Sequence, residues 1–174
     1  MKHFLAVVDI QKDFVDGTLG SDEAIGIIGP SVEKISAFDG EIFVTFDTHF
    51  ENYLDTAEGK KLPVPHCIKG TPGWELNSAI AEALAQKSFT PVEKLTFGSV
   101  ELPDLIRRSA AGDDFDITLI GLCTDICVVS NAMILKANFP EKQIYVDSSC
   151  CAGVTPESHN AALLTMKMCQ IEVI

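Results

Sequence analysis

Six short runs of apolar, largely β-branched or aromatic residues recur along the chain, at 4–8, 41–46, 88–93, 116–120, 143–146 and 171–174. A run that is apolar at nearly every position reads as a strand covered on both faces. Helical patterns fall between most of them, at 31–38, 73–86, 102–108, 130–137 and 156–168. Ser31 is placed to cap the first of these, and Pro103 and Pro156 suit first helical positions. Pro91 marks the third strand as an edge, because proline cannot donate to a ladder. Strands alternating with helices imply right-handed crossovers, and so a three-layer α/β/α architecture with a mainly parallel sheet. At 174 residues the whole chain, 1–174, reads as a single domain with room for a sizeable core.

Two segments do not follow the alternation. Residues 17–30 are rich in glycine and read as a turn-rich stretch, and 50–71 shows no clear period. A connection as long as the second is usually functional, and its prolines point to an ordered excursion.

Composition narrows the function class. Twenty-five acidic residues against 13 basic give a formal charge of -12, and no basic run exists to neutralise phosphates. Nucleic acid and anionic membrane are therefore not expected as partners, while the charge says little about substrate, because local fields can differ from the net. The apolar N-terminal run is interrupted by Asp9 and no small-residue cleavage site follows, and no stretch nears the ~20 residues needed to span a bilayer. Six cysteines in that context read as reduced thiols, and the expected location is cytoplasmic.

The strand ends carry the chemistry. Ligands of open parallel sheets bind outside the carboxyl ends of the strands. Asp9 follows the first strand, Asp47 and His49 the second, Lys94 the third, and Cys127 lies just beyond the fourth. The stretch Gly121-Leu122-Cys123-Thr124-Asp125-Ile126-Cys127-Val128 runs from strand to helix, where unpaired N–H groups and the helix dipole favour a thiolate. Cys127 is the expected nucleophile, although position alone does not choose firmly between it and Cys123. Asp9 would accept its proton and Lys94 would hold Asp9 ionised, while backbone N–H groups near Cys123 and Cys127 would hold an oxyanion. The bland alternatives are a packed cysteine, a turn aspartate and a solvated lysine.

Asp47 and His49, two apart on extended backbone, point to the same side. With His66 they make an oxygen-nitrogen-nitrogen set for a divalent metal such as zinc, and Glu58 is a possible fourth ligand. Cys67 adjoins His66 but points the other way, and reads as packing.

These pieces closely resemble the isochorismatase-like cysteine hydrolases, and within them the nicotinamidases. The matching stretches are Val8-Asp9-Ile10-Gln11-Lys12-Asp13-Phe14, Asp47-Thr48-His49, His66-Cys67-Ile68-Lys69-Gly70-Thr71-Pro72-Gly73, Lys94, and Gly121 to Val128. The resemblance implies a six-stranded parallel sheet and a triad of Asp9 as general base, Lys94 as its partner and Cys127 as nucleophile. It also implies a cis peptide between Leu122 and Cys123 that orients the oxyanion donors, and a metal held by the positions of Asp47, His49 and His66, with an acidic residue near Glu58 added in some relatives. The implied reaction is hydrolysis of nicotinamide to nicotinate and ammonia through a thioester, with the metal anchoring the pyridine nitrogen. Phe14 would stack on the ring, or else belong to the core. Phe97 is the aromatic available to close the pocket, in a short segment after Lys94. Many nicotinamidases carry a tryptophan where this chain has Pro63. Relatives often assemble into oligomers, so a homo-oligomer is a further expectation.

Two other readings compete. One is a related amidohydrolase acting on a different small amide. The other is a redox-responsive thiol protein, given Cys123 with Cys127 and the adjacent Cys150 and Cys151; it leaves Asp47, His49 and His66 unexplained.

Overall fold

The computed structural model describes residues 1–174. Six strands form one sheet: β1 (Lys2–Val8), β2 (Glu41–Asp47), β3 (Phe89–Lys94), β4 (Phe115–Leu122), β5 (Gln143–Ala152) and β6 (Glu172–Val173). Their order is β3-β2-β1-β4-β5-β6, and every neighbouring pair is parallel. The chain first winds outward from β1 through β2 to β3, then returns to the other side of β1 and continues through β4, β5 and β6. The strand order therefore reverses between β1 and β4, which places the crevice of this fold type between their carboxyl ends.

Successive side chains of a strand face opposite sides, and the apolar residues divide accordingly. Phe4, Ala6 and Val8 join one core, while Leu5 and Val7 join the other. The first core is covered by α6 (Leu102–Ala110), α7 (Val129–Asn138) and α8 (Pro156–Met168), through Ile106, Leu135 and Met166. The second is covered by α3 (Ile28–Ala37) and α5 (Ser78–Leu84), through Ile35, Ile80 and Leu84. Each of these fully buried aliphatic side chains contributes roughly 1.5–3 kcal/mol of transfer free energy. The shorter helices α1 (Lys12–Val15), α2 (Asp22–Gly26) and α4 (Ala57–Lys61) lie in the loops above the strand ends. No helix is long and apolar enough to cross a membrane.

Several boundaries differ from those read in the sequence. Helix α3 starts at Ile28, so Ser31 is an interior residue and not a cap; Pro30 forfeits no helical hydrogen bond there, because N–H groups of the first turn have no intrahelical acceptor. The predicted helix over 73–86 is shorter. Lys12 N–H donates to the Glu75 carbonyl at 2.9 Å and Asn77 N–H to the Ile10 carbonyl at 2.9 Å, which ties this segment to the exit of β1 in extended form. Helix α5 begins only after Asn77, whose side chain accepts from the Ala79 N–H. Strand β5 continues past Asp147 to Ala152, because a register shift opposite Leu119 and Gly121 lets Cys151 and Ala152 pair with Gly121 and Leu122. Pro91 does sit on an edge strand.

Candidate active site

Gly121 sets the spacing of the site. Its φ is +122°, and a Cβ there would lie 2.0 Å from the Val8 carbonyl oxygen, so only glycine permits β1 and β4 to approach this closely. Immediately beyond this contact, Asp9 adopts a positive φ of 49°, which turns its side chain out of the strand. On the β4 side the Leu122–Cys123 peptide is cis. A single π-helical turn, Thr124–Val128, then leads into α7 and carries Cys127. The Cys123 carbonyl accepts from the N–H groups of Ile126 (3.1 Å) and Val128 (3.0 Å), which fixes the turn, and the Cys123 N–H has no acceptor.

Asp9, Lys94 and Cys127 meet in a buried chain of contacts. Lys94 Nζ lies 2.6 Å from Asp9 Oδ2 and 3.5 Å from Cys127 Sγ. Thr45 Oγ1 donates to Asp9 Oδ1 at 2.6 Å. Asp9 Oδ2 is buried against the Lys94 ammonium as an ion pair, and no other donor is bonded to it. A buried carboxylate oxygen with a free lone pair beside a thiol is suited to take its proton. Burial raises the pKa of Asp9, with Lys94 opposing it. Burial and then the charge of Asp9 push the Cys127 thiol well up, with Lys94 pulling the other way. The surroundings of the thiol thus disfavour the thiolate, against the expectation from a helix N-terminus.

A second cluster sits beside the first. Asp47, His49 and His66 are all buried, and one donor atom of each lies within 4.8 Å of the others. His49 Nε2 is 3.0 Å and His66 Nε2 3.5 Å from Asp47 Oδ2. Although burial opposes ionisation, the two histidines and Lys94 hold Asp47 well below the usual carboxylate range. Burial likewise resists charge on His66, but its hydrogen bond to Asp47 raises its pKa. The cluster therefore attracts a cation. His66 Nδ1 pairs with the Val64 carbonyl at 2.8 Å, leaving Nε2 to face the cluster, and His49 Nε2 is buried without a hydrogen-bond partner. These two nitrogens with Asp47 fit a divalent metal.

Local structure explains how such distant residues converge. His49 N–H donates to the Cys67 carbonyl, and Lys69 N–H to the His49 carbonyl, each at 2.9 Å, so 67–69 adds to β2 as a short bridge. Tyr53 packs edge-on against His49 (4.7 Å between centroids) and His66 (5.1 Å). Thr56 caps α4, and Gly59 passes so near Tyr53 that a Cβ would lie 2.0 Å from its carbonyl. This holds Glu58 with Oε1 3.7 Å from both His49 Nε2 and His66 Nε2, at the margin of the cluster. Cys67 is fully buried and is not among the clustered donors.

Both clusters open on one cavity of about 480 Å³, lined by Phe14, Phe97, Ile126 and Val154 as well as by Cys127 and His66. Phe14 stands 5.5 Å from the His66 ring at the cavity wall and also packs on the second core, as one of its two sequence readings had it. Several supporting residues escaped the sequence reading. Gln11 is fully buried, donates to the carbonyls of Asp47 (2.9 Å) and Trp74 (2.8 Å), and accepts from the Asp47 N–H (2.8 Å). Asp13 accepts from the Cys67 N–H at 2.8 Å, fixing the loop that carries His66. Both lie in the stretch after β1 noted above, but nothing in their type announced a positioning role. Thr45, Tyr53 and Asn131 gave no signal at all.

The arrangement has relatives. Nicotinamidase/pyrazinamidase of Mycobacterium tuberculosis is 27% identical over 189 residues, spanning 98% of this chain and 97% of that protein. The crystal structure of nicotinamidase/pyrazinamidase from Bacillus subtilis superposes with a TM-score of 0.87 at 27% identity, covering 99% of each chain. That of pyrazinamidase/nicotinamidase from Streptococcus mutans gives 0.85 at 29% identity, covering 99% of this chain and all of the other. Residues 3–174 match the Isochorismatase domain, nearly the whole length over which the two clusters are assembled, and the chain belongs to the isochorismatase family.

Proposed function

We propose that this protein is a metal-dependent cysteine amidohydrolase that converts nicotinamide to nicotinate and ammonia. One observation carries the reading: a buried Asp9–Lys94–Cys127 contact chain opens on the same cavity as an Asp-His-His cluster. The named relatives, each a nicotinamidase, support the choice of substrate.

In this reading Cys127 Sγ attacks the amide carbonyl carbon while its proton passes to Asp9 Oδ2. Lys94 holds Asp9 in place and compensates the negative charge that moves from carboxylate to substrate. The unpaired Cys123 N–H, with that of Cys127, stabilises the oxyanion, an effect worth ~3 kcal/mol per donor. The C–N bond then breaks, Asp9 returns the proton to the leaving nitrogen, and ammonia departs from a Cys127 thioester. Water, deprotonated by Asp9, attacks the thioester; the acid leaves and the proton goes back to the thiol. Phe14 and Phe97 flank the ring and exclude water.

Asp47, His49 and His66, with Glu58 beside them, would hold the metal. Their nitrogen and oxygen donors suit zinc. The chemistry such an ion supplies when bound is a Lewis-acidic anchor for a ring nitrogen.

The test is ammonia release from nicotinamide by zinc-loaded protein, alongside Cys127→Ala. Release by the wild type and its loss in the variant are expected. No release from nicotinamide rejects the substrate, and release that survives Cys127→Ala rejects the mechanism.

A further inference from the structure

The segment from Lys94 to Ser99 carries Phe97 to the mouth of the cavity, yet little apolar contact holds it down. Phe97 is 42% exposed, and its neighbours Leu95 and Val100 are 69% and 83% exposed. Hydrophobic burial therefore does not explain why this strap lies closed over the site. Polar contacts to its backbone do, and two of them come from one side chain.

Asn131 lies in α7, fully buried. Its Nδ2 donates to the Cys127 carbonyl at 2.8 Å and to the Phe97 carbonyl at 3.2 Å. Its Oδ1 accepts from the Ser99 N–H at 2.9 Å. A buried amide must be paired, and this one is paired wholly with the strap and with the nucleophile's own residue. Two lesser contacts support the placement: Lys94 Nζ donates to the Thr96 carbonyl at 3.1 Å, and Gly98 sits so close to α7 that a Cβ would lie 2.5 Å from Ile134 Cδ1. Asparagine is a weak helix former, so its place in α7 answers to these side-chain bonds and not to helix propensity.

We propose that Asn131 is a positioning residue that latches the Phe97 strap to the Cys127 turn, so that pocket closure is set by one side chain. The kinetic part rests on the nicotinamidase reading; the latch itself does not. Because the strap covers the ring and takes no part in bond making, losing the latch weakens substrate binding more than it slows chemistry.

The experiment compares Asn131→Ala, Asn131→Asp, Phe97→Ala and the double variant Asn131→Ala/Phe97→Ala. Asn131→Asp keeps the acceptor for the Ser99 N–H and the size of the side chain, but loses both donated bonds; it serves if the alanine variant folds poorly. The expected result for either single change at Asn131 is KM for nicotinamide raised about tenfold with kcat altered by less than about threefold. The double variant is expected to be within about twofold of Phe97→Ala, since both changes remove the same closure. Unchanged KM, or effects that multiply, would overturn the latch. Amide hydrogen exchange needs no substrate: the Ser99 amide, whose N–H is held by Asn131 Oδ1, is expected to exchange at least about tenfold faster in Asn131→Ala, with β4 as protected as in wild type. Unchanged exchange at Ser99 in Asn131→Ala overturns the proposal by itself. If the wild type does not hydrolyse nicotinamide, the functional reading fails while the exchange measurement still decides the latch.

Discussion

At the scale of single residues the site works by opposing burial with charge. Asp9 sits where a carboxylate is disfavoured, and Lys94 and the Thr45 hydroxyl oppose that penalty without cancelling it. A base that must be ionised loses activity as pH falls through its pKa. Thr45→Val removes one of the contacts that lower this pKa, so the pKa rises and the acidic limb of the kcat/KM profile moves to higher pH. A pH profile of ammonia release by the variant checks this, and a limb that stays in place argues against Asp9 as the base. The same scale shows what could be read in advance. Asp9, Lys94 and Cys127 were legible because reactive residue types stood at strand ends. Thr45 and Asn131 were not, since a threonine within a strand or an asparagine within a helix acquires its role only from its tertiary neighbours.

At the scale of elements, the site depends on the close approach of β1 and β4 where Val8 pairs with Gly121. Gly121→Ala combines a positive φ with a Cβ against a carbonyl oxygen, and backbone, unlike a flexible side chain, cannot step aside cheaply. The expected cost is more than about 3 kcal/mol in urea unfolding. Activity should fall further than stability alone explains, because parting β1 from β4 moves Asp9 away from Cys127. A variant as stable and active as wild type would remove Gly121 from the account. Elements were also where sequence boundaries failed most often. Apolar periodicity marks a strand or helix but not its end, and the ends of α5 and β5 are set by hydrogen bonds from distant segments.

At the scale of the whole molecule, two clusters on different loops share one cavity, and Lys94 touches both: its Nζ is 3.2 Å from Asp47 Oδ1 as well as 2.6 Å from Asp9. A metal that binds only the folded protein stabilises it by mass action. Zinc at ~100-fold its Kd should raise the melting temperature of chelator-treated protein by about 5–10 °C. His49→Ala with His66→Ala should abolish the shift, and a shift that persists in the double variant would mean that zinc binds elsewhere.

Six strands, five of the eight α-helices, a mainly parallel sheet and the residue types at the strand ends were legible in the amino-acid order alone; α1, α2 and α4 were not, being too short to show a period. These follow from local rules: apolar periodicity, turn chemistry and the placement of proline. The place of β1 between β2 and β4, which makes the carboxyl ends bearing Asp9, Asp47 and the Cys127 turn adjoin, is seen only in the tertiary structure. Strand order and register arise from pairing between segments far apart in sequence. Those contacts leave no periodicity behind, so the meeting of two clusters at one cavity became visible only in the folded chain.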